Sequence, residues 1–393
     1  MANTLTAFNP EYWSKRMQVI FFKEAVYREL ASFEERAMLK DGDTVHRPYR
    51  SRLLVQTYTK GTAVSVQDVA STDEYLSVDT TKIAPFYVDD IDKIQNKWDS
   101  ANKFADDAGR DLNNWVDGAF LAETASATSD IDDGDVGGTA GNAIVPTVTN
   151  VGKIFTATAK KLDKLNIKRQ DRYAVITPTI LQLLVDKYDG KDTSFGDEVA
   201  RNGKIGRYGG FNLYLSNSTY YTAKWTPAND PTAADTVTIN GVEFEFVASP
   251  ATAGQVDVTG TTATTIDALV TLINAPGTTT ATGIALSAAD QKLLEGCVAV
   301  DGTTYLGLTF SGAGEIAVAA SEAADPWTLE TVHLMFGVKG AVDIVIQKEP
   351  GVEFKEVQDK LGKNVLPWVL YGKKTFTEGK DQIVDVKIDG SEL

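Results

Sequence analysis

The chain has 393 residues, of which 43% are hydrophobic and 23% charged, and its formal net charge is −16. This composition is typical of a globular chain with two or three domains, and its acidity disfavours direct binding to a nucleic-acid backbone, which depends on clustered Lys and Arg. A single cysteine, Cys297, excludes an intrachain disulfide and disfavours a cysteine-based metal site. The sequence shows neither a signal peptide nor the run of about 20 apolar residues that a membrane span needs.

The first predicted element is a helix in the N-terminal segment. Asn9, Pro10 and Glu11 read as an N-cap, a proline at the first helical position and an acidic first turn. The amphipathic pattern that follows predicts a helix to about Lys40.

Residues 44–88 predict a long polar β-ribbon. Its first limb covers residues 44–58, its return limb about residues 74–88, and a polar tip joins them. Limbs of this length extend about 40–45 Å. Because an isolated two-stranded hairpin is marginal in water, we expect this ribbon to lie across a neighbouring subunit, whereas the plainer alternative is a solvated loop with ordinary surface charges.

Opposite charges on the ribbon are the candidate contact residues. Across an interface such charges set register and steer association. The candidates for inter-subunit contact are Arg47, Arg50, Arg52, Lys60, Asp68, Asp73 and Glu74.

A helix of about thirty residues is predicted after the acidic pair Asp89 and Asp90, which suits the positive end of the helix dipole. Its apolar residues recur at steps of three and four, which places them on one narrow stripe. Small residues in the stripe favour packing beneath a sheet over a coiled coil. The stripe consists of Ile91, Ile94, Trp98, Ala101, Ala105, Ala108, Leu112, Trp115 and Ala119.

An alternation of helices and strands follows the long helix. Residues 125–141, rich in Ser, Asp and Gly, predict a flexible acidic loop, since their aspartates lack the spacing and the final Glu of a calcium-binding loop. The later predicted elements are a helix at 147–165, a strand at 171–176, a helix at 179–188, a loop at 190–210, and strands at 211–215, 341–346, 364–376 and 382–388.

The composition changes in residues 226–330. This stretch holds thirteen acidic residues and one basic residue, Lys292, and is rich in Thr and Ala. The shift predicts an inserted small α+β domain. Asn240-Gly241 predicts a type I′ hairpin that pairs Ile239 with Val242, residues 264–274 predict a helix, and residues 298–305 a second hairpin.

Catalytic chemistry finds little support in the sequence. Only His46 and His333 are present, and a His-dependent triad needs a histidine beside a nucleophile. We predict that each of the two is a surface or packed histidine. Gly206-Arg-Tyr-Gly-Gly210 is a turn before a strand and no phosphate-binding loop. We therefore expect no catalytic, cofactor-binding or metal site, and no enzyme.

The order of these elements resembles the major capsid proteins of tailed bacteriophages, which have the Hong Kong 97-type α+β fold. The stretches that carry the resemblance are DRYAVITP at 171–178, IGRYGGFNLYLSN at 205–217 and VLYGKKTF at 369–376. No single motif is unique, and the likeness lies in their order and spacing.

The resemblance implies a virion shell of hexamers and pentamers that assembles in the host cytoplasm. It implies contacts with copies of itself, a scaffolding protein, a portal and a decoration protein, and enclosure of double-stranded DNA without specific binding. It divides the chain into an N-terminal arm (1–42), an extended loop (43–88), a spine helix with peripheral domain (89–170), a first axial part (171–225), an inserted domain (226–330) and the remaining axial and peripheral part (331–393).

Two other structural roles stay open at this point. An encapsulin-type nanocompartment shell would share the fold but enclose cargo proteins. A surface-layer protein or adhesin is suggested by the Thr-rich acidic stretch.

Overall fold

The structure is a computed structural model that describes residues 25–37, 42–50, 53–64, 66–68, 71–89, 91, 100–188, 206–227, 229–313, 317–321, 327–356 and 361–390. The helices in these ranges are α1 (Tyr27–Leu30), α2 (Ser100–Ala122), α3 (Asp133–Val136), α4 (Val151–Lys164), α5 (Pro178–Tyr188), α6 (Thr262–Asn274), α7 (Ala288–Leu293) and α8 (Thr377–Lys380). Short 3-10 turns occupy Glu34–Ala37 and Glu123–Ser126.

The strands of the described ranges begin with β1 (Thr44–Arg50), β2 (Ser71–Ser77), β3 (Thr80–Ile83), β4 (Phe86–Asp89), β5 (Ser129–Ile131), β6 (Arg172–Ile176), β7 (Arg207–Tyr208), β8 (Phe211–Leu215) and β9 (Thr219–Trp225). They continue with β10 (Thr236–Ile239), β11 (Val242–Val247), β12 (Gln255–Asp257), β13 (Cys297–Asp301), β14 (Leu306–Ala313), β15 (Val318–Ala320), β16 (Trp327–Val338), β17 (Asp343–Glu356), β18 (Gly362–Lys374) and β19 (Ile383–Asp389).

The largest sheet has nine strands and is covered by helices on both faces. Its order is β13-β14-β9-β16-β6-β8-β7, with β19 paired to β16 and β5 paired to β19. All five residues of β6 are buried. Because successive side chains of a strand point to opposite faces, Ala174 and Ile176 share a core with α4 and α5, whereas Tyr173 and Val175 share a second core with α2.

The elements that form or cover this sheet, and two strands of a separate four-stranded sheet of β17, β18, β3 and β4, agree with the predictions. The predicted strands at 171–176 and 211–215 are β6 and β8, and the predicted helices at 147–165 and 179–188 are α4 and α5. The strands predicted after residue 340 are β17, β18 and β19, although β17 runs ten residues beyond the predicted end at 346. Most of the loop predicted at 190–210 lies outside the described residues.

The long helix is confirmed over residues 100–122. Ala105, Leu112 and Ala119 of its predicted stripe are buried, and the helix packs against the sheet, as the small residues indicate. Ile91 is helical and half exposed, while residues 92–99, with Ile94 and Trp98, lie outside the described residues.

The helix predicted to continue to about Lys40 is wrong over its described part. Within residues 25–37 only α1 is α-helical, followed by the 3-10 turn at Glu34–Ala37; Ala31 is extended and Ser32 forms a bridge with Asp343. The Ser32 N–H donates to the Val342 carbonyl and its own carbonyl accepts from Ile344 N–H. These bonds replace the helical ones, since a buried backbone group needs one partner or the other.

The ribbon is shorter than predicted. β1 pairs with β2 from Thr44↔Ser77 to Arg50↔Ser71, but the rest of the predicted return limb, as β3 and β4, pairs with β18. The chain leaves the ribbon at the buried Val78, whose N–H donates to the Asp43 carbonyl. The sequence did not predict that β3 and β4 pair with β18, because β18 lies far away along the chain.

The acidic stretch 125–141 is ordered, which corrects the predicted flexible loop. β5 pairs in parallel with β19, and α3 begins with a capping box between Asp132 and Asp135. Two of the aspartates also pair with lysines, Asp130 with Lys387 and Asp135 with Lys161.

The acidic, Thr-rich stretch contains a sheet of its own but also shares the large sheet. Its own sheet has the order β12-β11-β10-β15, and the hairpin register is the predicted one, with Ile239 opposite Val242. The second hairpin, β13 and β14, extends the nine-stranded sheet by pairing with β9. The boundaries of an inserted domain at 226–330 stay a prediction.

Two glycines bring this second hairpin against α2. A Cβ built on Gly118 would lie 2.6 Å from Cα of Gly312, which sits at a bulge of β14 with φ of 71°. The two backbones therefore approach each other so closely that only glycine, which has no Cβ, fits at both positions.

We expect Gly118→Ala to lower the free energy of unfolding by about 1–3 kcal/mol, because the methyl group meets backbone atoms that cannot turn away. Gly109→Ala is the matched control: the same helix has open space there, and the change should stabilise the protein by up to about 1 kcal/mol. Guanidinium denaturation of the unassembled protein measures both. Equal effects at the two positions would contradict this view of the contact.

Candidate inter-subunit interface

The root of the ribbon is held by two opposing residues. Arg47 of β1 and Glu74 of β2 face each other in the register, and both reach the start of α8. The Glu74 carboxylate accepts hydrogen bonds from the Thr377 hydroxyl and from Thr377 N–H, the latter at 3.0 Å. Arg47 pairs with Glu378, stacks 5.0 Å from the Phe376 ring centre, and donates to Asp343 at 3.2 Å. We call these contacts the root clamp.

Hydrogen bonding and burial shift the two carboxyl groups of the root clamp in opposite directions. The hydrogen bond from the Thr377 hydroxyl lowers the pKa of Glu74, with the Thr377 N–H as the next cause. Burial raises the pKa of Asp343, which is only 4% exposed, although a hydrogen bond from Ser32 and the charge of Arg47 oppose that shift. Glu74 therefore holds Thr377 as a carboxylate at neutral pH, and the hydrogen bond from Ser32 and the charge of Arg47 both favour the charged form of Asp343.

The remaining candidate residues are distributed along the ribbon. Asp73 pairs with His46 at 2.7 Å in an exposed contact near the root. Arg50, Lys60 and Asp68 are exposed at the end of β1 and in the tip, and Arg52 lies outside the described residues. The structure thus brings Arg47, Asp73 and Glu74 together at the root but does not join them to the charges at the tip.

The ribbon tip presents apolar side chains, which the charge pattern did not reveal. Val55 is fully exposed and Val66 is 87% exposed. The sequence signal was present in the consecutive Leu53, Leu54 and Val55, which stand out in a polar ribbon. The exposed apolar side chains of the tip are Leu53, Leu54, Val55, Tyr58, Val64 and Val66.

One side chain joins the two limbs at the tip. Gln67 accepts from Leu54 N–H at 3.0 Å and donates from Nε2 to the Leu54 carbonyl at 2.6 Å. This pair of bonds replaces the β-ladder beyond Arg50. It holds the apolar side chains together without burying them.

The two histidines occupy the predicted environments. His46 is 60% exposed. His333 is packed in the large sheet, with Nδ1 bound to Asp385 at 2.8 Å and Nε2 to the Thr222 hydroxyl at 2.8 Å. Within the described ranges, no group of three His, Cys, Asp or Glu side chains is placed to hold a metal ion, and no described helix is long and apolar enough to cross a membrane.

Comparison with solved structures identifies the fold. No protein-family model and no curated protein matches the sequence. Solved chains of bacteriophage particles match over nearly their whole length. A chain of Mycobacterium phage Che8 is 14% identical, with a TM-score of 0.59 and 99% of this chain and 100% of that chain covered.

Two further structures show the same likeness. The capsid of cyanophage P-SCSP1u is 12% identical with a TM-score of 0.53 and covers 98% of this chain and 94% of its own. The mature capsid of bacteriophage PhiM1 is 12% identical with a TM-score of 0.51, and the match covers 97% of this chain and 92% of that chain. This chain therefore has the fold of tailed-phage capsid proteins, and the predicted Hong Kong 97-type α+β fold is confirmed.

The root clamp predicts a pH-dependent contribution to stability. Because the pKa of Glu74 is lowered in the folded protein, its contribution is complete above the ordinary pKa of about 4.3 and is lost as the pH falls through the lowered value. We expect Glu74→Gln to cost about 1 kcal/mol at neutral pH after solvent screening, and the difference from wild type to narrow below about pH 4.

Free energies of unfolding across the acid range measure this difference. Asp68→Asn is the control, since that carboxylate is exposed in the tip, and it should give no comparable trend. A constant difference between wild type and Glu74→Gln at every pH would show that the charge of Glu74 does not hold the clamp.

Proposed function

We propose that this chain is the major capsid protein of a tailed bacteriophage. The single observation that carries the proposal is a ribbon whose tip exposes six large apolar side chains while its root is fixed to the body of the same chain. A second copy of the chain, placed as in a shell, would cover that tip. The capsid fold supports this role.

The proposed mechanism is assembly by repetition of one contact. A ribbon that lies on the next copy makes a heterologous contact, and rotation closes such contacts into a ring. We propose hexamers and pentamers of this kind, closed into an icosahedral shell. Each contact can be weak because many act together.

The candidate charges divide into two proposed roles. Arg50, Arg52, Lys60 and Asp68 would meet the neighbouring copy and set its register, together with the more exposed Asp73. Arg47 and Glu74 already bind residues of their own chain. They would therefore act on the contact by fixing the direction of the ribbon.

The other partners of the shell are proposed from the same fold. The shell would enclose double-stranded DNA without gripping it, which suits a net charge of −16. A scaffolding protein, a portal and a decoration protein are the expected partners, and assembly would take place in the host cytoplasm. We propose a structural role and no enzymatic one.

The proposed division of the chain follows the predicted boundaries. Residues 1–42, 43–88 and 89–170 would form the arm, the extended loop and the spine with the peripheral domain. Residues 171–225 and 331–393 would form the axial domain and the rest of the peripheral domain. Residues 226–330 would form the inserted domain, joined to the axial part through β14 and β9.

We expect Leu54→Asp combined with Val55→Asp to abolish rings and shells while leaving the subunit folded. Both side chains are exposed and the Gln67 bonds use only the Leu54 backbone, so the free energy of unfolding should change by less than about 0.5 kcal/mol. Negative-stain microscopy and denaturation measure the two effects.

Leu293→Asp on α7 is the control, because it places a carboxylate at an exposed apolar residue outside the ribbon. This variant should assemble normally. Normal shells from the tip variant would remove the ribbon from the contact. A wild-type chain that stays monomeric at high concentration, with and without a scaffolding protein, would refute the proposed function.

A further inference from the structure

A groove along α4 concentrates positive charge in this acidic chain. The groove has a volume of about 340 Å³. It contains four lysines and one carboxylate, which leaves a local charge of +3 in a chain of −16. Its lining consists of Asp135, Lys153, Thr156, Ala157, Lys160, Lys161 and Lys164; we call it the α4 groove.

Two of these lysines have polar partners within the chain, and the other two form no ion pair among the described residues. Lys161 pairs with Asp135 at 2.7 Å, and Lys153 donates to the Val136 carbonyl at 3.1 Å. Lys160 and Lys164 are exposed, and no ion pair of the described residues includes them. They are one helical turn apart, which places their Cβ atoms about 6 Å from each other.

Stabilisation of the helix itself does not account for this arrangement. Lys161 and Lys164 in the last turn of α4 suit the negative end of the helix dipole. Lys153 lies in the first turn, where the dipole disfavours a cation, and that turn has no acidic residue. The lysines are therefore spread along one face of the helix and are not confined to its C-terminal end.

A second surface of the chain carries the opposite charge. In the sheet β12-β11-β10-β15 the alternate residues Val237, Phe244 and Phe246 are buried, so the other face is turned outward. That outer face holds Glu243, Glu245, Gln255 and Asp257 beside small threonines. We call it the acidic face.

Among the described residues, no lysine or arginine forms an ion pair with the acidic face. The Thr259 hydroxyl lowers the pKa of Asp257 by hydrogen bonding, and Glu245 accepts from Gln255 at 2.8 Å. Lys292 is the one basic residue of the sequence between 226 and 330, and among the described residues no ion pair joins the acidic face to α4. Neither surface therefore neutralises the other within one copy.

We propose that the α4 groove of one copy binds the acidic face of a neighbouring copy, with Lys160 and Lys164 opposite Glu243 and Glu245. This inference rests on the proposed function, since it names a second contact between neighbours of the shell. Two different patches that complement each other form a heterologous contact, which closes rings. The contact also offsets the mutual repulsion of subunits that each carry −16.

A charge-swap experiment tests the pairing. Lys160→Glu with Lys164→Glu, and separately Glu243→Lys with Glu245→Lys, should each raise the protein concentration needed for assembly about tenfold at low salt. The chain that carries all four changes should assemble like wild type. Sedimentation velocity across a concentration series measures each variant, and Lys168→Glu and Asp267→Lys are controls with exposed charges outside both surfaces.

The outcomes separate this inference from the proposed function. If the wild-type chain forms shells and both double variants assemble equally well, the pairing is wrong and the capsid role stays intact. The same conclusion follows if the four-change chain does not recover assembly. A wild-type chain that never associates would overturn both. If the lysine variant assembles normally but loses binding to a short DNA duplex in fluorescence anisotropy, the groove serves a phosphate backbone and the pairing is wrong.

Discussion

The structure depends on the burial of the large sheet on both faces. β6 has no exposed residue, because α4 and α5 cover one side and α2 covers the other. Leu112, Val116 and Phe120 of α2 are buried in this contact. Phe104, near the start of α2, is half exposed and contacts the ring of Phe86 on β4, with ring centres 6.3 Å apart. The described contacts of the ribbon with the rest of the chain lie at its root, whereas the described apolar side chains of its tip are exposed.

The root of the ribbon makes polar contacts, whereas its tip exposes apolar side chains. At the root, Arg47 and Glu74 make charged contacts that fix a direction. At the tip, full burial of a large aliphatic side chain contributes about 1.5–3 kcal/mol, whereas an exposed ion pair contributes about 0–1 kcal/mol. Burial of two or three tip residues would outweigh all the exposed charges of the ribbon. The apolar tip would then supply the affinity of the contact, and the charges would set its register.

Local patterns were predictable, and pairings between distant segments were not. Asn240 and Gly241 both have positive φ, as a type I′ turn requires, so the hairpin register followed from two residues. The return limb was misjudged because β3 and β4 pair with β18, and α1 ends early because Ser32 pairs beside Asp343. In the candidate interface the sequence revealed the charges, but the partners of Arg47 and Glu74 lie about three hundred residues away.

The acidic stretch shows how a change in composition relates to folding. Its charge lies on exposed positions such as Glu243, whereas its inward residues are as apolar as the rest of the core; Trp225 stacks on Phe246 with ring centres 5.9 Å apart. The same stretch pairs with β9 through β14 and touches α2 at Gly312. A change of charge along a sequence therefore indicates what kind of surface the segment will meet. It does not by itself mark the end of a folding unit. For a subunit that meets copies of itself, such a shift points to a complementary surface on the same chain.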